Sequence, residues 1–168
     1  MSGDAREIAD ARRTLSRRHA GTVEAVIIIQ RSVIATAPAE RVYTYLRDFT
    51  TAVEWDAGTV SCTMLSGDGG VGTTYANRSR FLGLETELTY ELTELEPNRL
   101  IVLRGENATV VSTDHILVQS VDTGTEVLYT AEFEFKGVAR FLEPLLRIPL
   151  GRLGDNAEKT LAAALRKL

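Results

Sequence analysis

Ser66-Gly67-Asp68-Gly69-Gly70-Val71-Gly72-Thr73-Thr74 is the stretch on which the reading of this chain turns. Its glycines open positive φ to the backbone and leave almost no side-chain bulk. Runs of strand character flank it, about Thr59 to Leu65 before and Thr73 to Phe81 after, so a hairpin connection is its plainest role. A phosphate-binding loop is the alternative to weigh. The stretch lacks the Gly-Lys-Ser/Thr ending that brings a lysine to a phosphate, and it joins two strands instead of opening a helix. Nucleotide hydrolysis is therefore disfavoured.

Working outward, Thr73 to Phe81 alternates with Tyr75, Asn77, Ser79 and Phe81 on one face and Arg78 and Arg80 on the other. Arginine heads seek water, which turns the tyrosine face inward. Leu82-Gly83 leads into a strand over Leu84 to Leu95, where Thr86, Leu88, Tyr90 and Leu92 oppose Glu85, Glu87 and Glu91. Glu96-Pro97-Asn98 marks a turn, followed by strands over about Arg99 to Glu106 and Thr109 to Ser120. Asp122-Thr123-Gly124 starts the last hairpin. The strand after it sets Val127, Tyr129, Ala131, Phe133 and Phe135 against Glu126, Thr130, Glu132 and Glu134, the cleanest alternation in the chain. Beyond Gly137 the pattern is helical. Val138, Phe141, Leu142, Leu145 and Leu146 start an apolar stripe that Leu150, Leu153, Ala157, Leu161 and Leu165 continue, with Pro144 and Pro149 expected to kink or divide the helix.

Upstream of the glycine stretch, Val23 to Ala35 is rich in β-branched residues and forms a first strand. Thr36 is placed to cap a helix with Pro38 and Glu40 in its first turn, and Val42, Leu46 and Phe49 recur at helical spacing. A second short helical turn runs from Phe49 to Asp56. Residues 1–22 form an arm outside this pattern, frayed or partly helical, while 23–168 form one domain. The arm holds Arg6, Arg12, Arg13, Arg17 and Arg18, and His19 within it is read as solvated.

The chain has 168 residues and a net charge of −4, with a pI near 5.3. One domain with a core of ordinary size fits that length. The acidic balance argues against nucleic acid as a partner, and leaves membrane contact only to the basic arm. Cys62 is the sole cysteine, so no internal disulfide forms. Two histidines and one cysteine at unrelated positions give a metal site no support. The amino terminus shows no apolar secretory core, and Val26 to Ile29 is too short to span a bilayer, so a cytoplasmic home is expected.

The order of these features resembles the START-like or birch-pollen-allergen superfamily, in particular its bacterial polyketide cyclase-like (SRPBCC) branch. The residues that carry it are the Thr36-to-Arg41 helix opening, the glycine turn, the alternation of the last strand and the terminal amphipathic helix. The resemblance implies an α+β helix-grip fold. A curved antiparallel sheet of about seven strands would wrap a long C-terminal helix, with two short helices between the first two strands. It implies a cavity for a small hydrophobic molecule and no cofactor, and it leaves activity open. The arm and the two prolines of the terminal helix depart from the pattern.

Within such a cavity, Trp55, Tyr75, Asn77, Phe81, Leu88, Tyr90, Arg104, Tyr129, Phe133, Phe141, Leu142 and Leu145 are the ligand-binding candidates. Each inward tyrosine could offer its hydroxyl to a ligand or reach water from the core. Asn77 must be hydrogen-bonded wherever it lies, whether to a ligand, a water or the backbone. Trp55 can pack at the sheet end or line the cavity, and Arg104 can hold a carboxylate at a mouth or sit on the surface. Glu54 and Asp56 read as solvated. The candidates for proton transfer are His115, Tyr129 and Tyr75. Period two does not orient His115, because both faces of its strand mix polar and apolar residues. No pair of acids is evident on an inward face, as general acid–base chemistry would need. Three functions follow, in order of support: a carrier or sensor of a lipid-, polyketide- or isoprenoid-like molecule; a cofactor-independent cyclase or dehydratase; and a protein-interaction module.

Overall fold

Alternating β-branched and aromatic residues carry most of the chain into strands, and the apolar stripe at its end into a helix. The computed structural model describes residues 26–168. The arm of residues 1–22, His19 and the expected strand start at Val23 lie outside the described residues. In chain order the elements are β1 (Val26–Ala35), α1 (Ala39–Arg47), a 3-10 turn (Phe49–Thr51), α2 (Ala52–Trp55), β2 (Thr59–Ser66) and β3 (Thr74–Phe81). They continue with β4 (Leu84–Glu96), β5 (Leu100–Glu106), β6 (Val110–Val121), β7 (Gly124–Phe135), a second 3-10 segment (Gly137–Leu142) and α3 (Glu143–Leu165). The seven strands form one antiparallel sheet in the order β1-β7-β6-β5-β4-β3-β2. Register shifts in β2 and between Leu92 and Glu94 of β4 bend the sheet around the terminal helix. This is the helix-grip arrangement.

The glycine turn is a hairpin. Gly67, Gly69 and Gly72 all take positive φ, at 102°, 87° and 90°. The Gly69 N–H donates to Thr73 Oγ1 at 2.9 Å, and the Gly70 N–H to Asp68 Oδ1 at 2.9 Å. The turn is also tacked to β4, through the Gly72 N–H to the Leu92 carbonyl at 2.8 Å.

Two local expectations need correction. Thr36 does not cap the first helix. Pro38 holds the cap position with extended backbone, and its carbonyl accepts from the N–H groups of Arg41 and Val42 at 3.0 and 3.1 Å. The prolines do not divide the terminal helix either. Pro144 falls in the first turn of α3, where a missing N–H has no partner to lose, and Pro149 sits inside a helix that runs unbroken from Glu143 to Leu165.

The helix is seated on the sheet by close approach and by charge. Arg31 of β1 donates to Asp155 Oδ1 at 2.6 Å and to the Gly151 carbonyl at 3.1 Å. Thr160 Oγ1 donates to the Trp55 carbonyl at 2.5 Å, which ties α2 to α3. Buried apolar residues gather in two clusters. The larger joins α1, Phe49, Trp55, Tyr75, Leu92 and Leu161, and the smaller joins Ile27, Ile29 and Leu150 with Phe81, Phe133 and Phe135 around it.

Candidate functional site

Between the two clusters the sheet and α3 enclose a chamber of about 430 Å³. Its walls are apolar. Leu88, Ala131, Phe133 and Phe135 face it from the sheet, Phe81 from the end of β3, and Leu142, Leu146, Leu150, Leu153 and Ala157 from the terminal helical segment. Leu82 and Leu84 of the β3–β4 hairpin reach it while remaining largely exposed, so they mark its mouth. The volume falls within the range of small-molecule pockets, whose walls are mostly apolar with a few polar groups fixing orientation.

Two of the chamber's polar side chains, Ser112 and Asp114, are buried two residues apart on β6. Asp114 of β6 is 4 % exposed and lines the chamber. Its Oδ1 accepts from the Tyr129 hydroxyl at 3.2 Å and, more weakly, from Ser112 Oγ at 3.4 Å. Burial pushes the Asp114 carboxyl up to about 7 and the nearby Asp56 charge adds to the rise, against the pull of hydrogen bonds from Tyr90, Tyr129 and Ser112. Asp56, at the end of α2, also faces the chamber. Burial raises its carboxyl too, while the Thr59 hydroxyl at 2.6 Å and the Gly58 N–H at 3.1 Å favour its charged form. Tyr90 and Tyr129 are pushed well above the usual phenol range by burial first and by Asp114 second, so both remain neutral donors.

Of the residues singled out from sequence, Phe81, Leu88, Tyr90, Tyr129, Phe133 and Leu142 line this chamber. Seven others lie elsewhere, for definable reasons. Trp55 is buried behind Tyr129, its ring edge-on to that phenol at 5.9 Å, and its Nε1–H donates to Thr51 Oγ1 at 3.1 Å. Tyr75 is buried against Phe49 in the larger cluster, at 5.6 Å between ring centroids. Asn77 is buried and satisfied by protein: its Nδ2 donates to Thr59 Oγ1 at 3.0 Å and its Oδ1 accepts from Ser79 at 2.7 Å. Thr59 in turn donates to Asp56 at 2.6 Å, which links Asn77 to the chamber wall through one hydroxyl. Arg104 points outward from β5 and pairs with Glu106 at 2.5 Å. His115 takes the β6 face opposite Asp114 and is not among the lining residues. Phe141 and Leu145 are 70 % and 73 % exposed, on the solvent side of the terminal segment.

The acid pair was missed from sequence, and the reading of Asp56 as solvated is corrected. Its carboxyl is held inward by Thr59 and the Gly58 amide. A usable signal for Asp114 did exist. Opposed residues of an antiparallel pair share a face, and the tight β6–β7 hairpin sets Asp114 opposite Ala131 and Ser112 opposite Phe133. Among the described residues, no group of His, Cys, Asp and Glu is arranged to hold a metal ion.

A sequence model for the family described as polyketide cyclase / dehydrase and lipid transport matches residues 26–166. No curated protein sequence matches the chain. Among solved structures, the Zhui aromatase/cyclase from Streptomyces sp. R1128 superposes with a TM-score of 0.71 at 15% identity, over 83% of this chain and 93% of that one. A START superfamily protein from Mycobacterium smegmatis gives a TM-score of 0.64 at 12% identity, over 82% and 96%. Ara h 8.0201 gives 0.55 at 13% identity, over 83% and 99%. At such identities these likenesses bear on the fold alone.

Proposed function

The chain belongs to the polyketide cyclase / dehydrase and lipid transport family, and from that premise we propose that its chamber binds a small hydrophobic molecule, lipid-, polyketide- or isoprenoid-like, as a cytoplasmic carrier or sensor. The observation that carries this reading is the chamber itself: about 430 Å³ walled largely by leucine, phenylalanine and alanine, with a buried carboxyl, Asp114, in its wall. Burial of a ligand's apolar surface contributes about 25 cal/mol per Å², and the Asp114 cluster orients its polar end. Phe81, Leu88, Tyr90, Tyr129, Phe133 and Leu142 are the binding residues in this reading. No helix among the described residues is long and apolar enough to cross a membrane.

Native mass spectrometry of freshly purified protein, with solvent extraction of any adduct, tests it. A reproducible adduct of a few hundred daltons is expected, and Leu88→Trp, which fills the chamber from β4, is expected to abolish it. A clean apo mass together with no uptake from fatty alcohols, flavonoids or isoprenoids would sink the carrier reading.

One observation favours a second reading, a cofactor-independent cyclase or dehydratase. A carboxyl raised to about 7 beside an apolar chamber is poised both to take and to give a proton near neutral pH. In that role Asp114 is the acid–base group, with Tyr129 and Tyr90 as its hydrogen-bond partners. Asp114→Asn then abolishes turnover of a bound poly-ketone while its affinity stays within a few fold. Loss of affinity alone would return Asp114 to a binding role.

A further inference from the structure

Carriers with apolar chambers differ in which end of an amphiphile they admit, and charge inside the chamber decides it. The ionisable side chains that line it with acid or base character are Asp56, Asp114 and Arg80, with the phenols Tyr90 and Tyr129 beside them. Arg80 offers no cation to the interior. Its strand neighbours Ser79 and Phe81 take the inward positions, and its own side chain is 60 % exposed with its guanidinium 2.5 Å from Glu85. The inner end is therefore built from two carboxyls, and the cation of the lining, Arg80, is turned to solvent and paired with Glu85.

The donors at that end are already engaged. Tyr129 and Ser112 direct their hydroxyl hydrogens to Asp114, and Thr59 donates to Asp56. A carboxylate offers about four acceptor positions, so the Tyr129 and Ser112 donors on Asp114 leave it room for another. An incoming group that donates finds that vacancy. An incoming carboxylate finds the Asp114 carboxyl, with the Tyr129 and Ser112 hydroxyls already turned to it, in surroundings where desolvation strengthens repulsion.

We propose that the chamber takes an amphiphile head-in whose polar end is a hydrogen-bond donor, a hydroxyl or an amine, received by Asp114, and that it rejects the same tail carrying a carboxylate. This rests on the reading of the chamber as a binding site and names the ligand class it selects.

The test is displacement of N-phenyl-1-naphthylamine, a neutral fluorescent probe, by decan-1-ol, decylamine and decanoate at pH 8. The three share one tail, so the apolar term cancels. At least one donor head is expected to displace the probe at concentrations tenfold or more below decanoate; decan-1-ol alone identifies a neutral ligand, and decylamine alone a cation. Asp114→Asn is expected to narrow the gap between the preferred head and decanoate to threefold or less. Asp56→Asn, which leaves every Asp114 partner in place, is expected to narrow it by a smaller factor and serves if the first variant does not fold. Equal displacement by all three, or a preference for decanoate, overturns the proposal and leaves the chamber reading intact. A probe that binds no better to the native protein than to Leu88→Trp removes the chamber reading and this proposal with it.

Discussion

At the scale of single residues, the shape of the chamber depends on an absent side chain. Tyr90 of β4 lies opposite Gly105 of β5, and a Cβ at position 105 would sit 2.5 Å from the Tyr90 Cζ. That is far inside contact distance, so the phenol packs flat on the glycine backbone, where it forms part of the chamber wall. Gly105→Ala forces the ring off its seat at a cost of about 1–3 kcal/mol, typical of overpacking. Urea melts of the single and double variants check this. The loss is expected to vanish against a Tyr90→Ala background, because the clash is gone; additive losses would mean that the two positions do not meet as described. Asn77 belongs to the same scale. Its bonds to Thr59 and Ser79 satisfy a buried amide and hold the hydroxyl that faces Asp56. Its conservative loss in Asn77→Leu is expected to cost about 1–3 kcal/mol of stability, read in the same melts.

At the scale of elements, α3 and the 3-10 segment before it present two unequal faces. Leu150 is 4 % exposed and packs with Ile27 and Ile29, whereas Phe141 is largely exposed and meets Arg140 in a cation–π contact at 4.9 Å. Leu150→Ala is expected to cost about 2–5 kcal/mol and Phe141→Ala to stay within about 0.5 kcal/mol. Thermal melts showing equal losses would overturn this assignment of faces. The contrast also explains what could be read in advance. Strands β3, β4 and β7 alternate between aromatic or aliphatic residues and charged ones, so period two showed their inward faces correctly. Strand β6 does not: Val111 and Leu117 match Val110 and Ile116 for hydrophobicity, and its orientation, with that of Asp114 and His115, comes only from pairing with β7. Asp56 was illegible for another reason, since it follows a helix of one turn and is turned inward by two local hydrogen bonds. The apolar stripe of α3 was legible from Leu150 onward but too generous before it. A 3-10 segment advances three residues per turn, so 3.6-residue spacing cannot be carried back through Gly137 to Leu142. In the first turns of α3, the phase that contains Leu146 leaves Leu145 about 100° away.

At the scale of the whole molecule, enclosing two carboxyls between sheet and helix ties the stability of the fold to pH. The Asp114 carboxyl titrates near 7 in the folded protein and near 3.8 when unfolded. Between those values the native state holds a proton that the unfolded chain has released. Stability therefore falls as pH rises from about 4 to about 7, by up to about 1.4 kcal/mol per pH unit for one fully linked group, and this contribution is flat above. Asp56, raised in the same direction, steepens the fall. Glu85 and Glu106 work the other way: hydrogen bonds from Arg80 and from Lys136 respectively hold them below the usual carboxylate range, so their support is lost only as pH falls through the acid region. They lie on the surface, where screening keeps such effects small. Asp114→Asn removes the titrating group while keeping an acceptor oxygen for Tyr129 and Ser112. Relative to the native protein, its melting temperature is expected to gain several degrees more at pH 8 than at pH 5. An offset between the two proteins that is the same at both pH values would show that Asp114 titrates in the folded chain much as it does in water, and that the chamber's inner end is wet enough to keep both carboxylates charged.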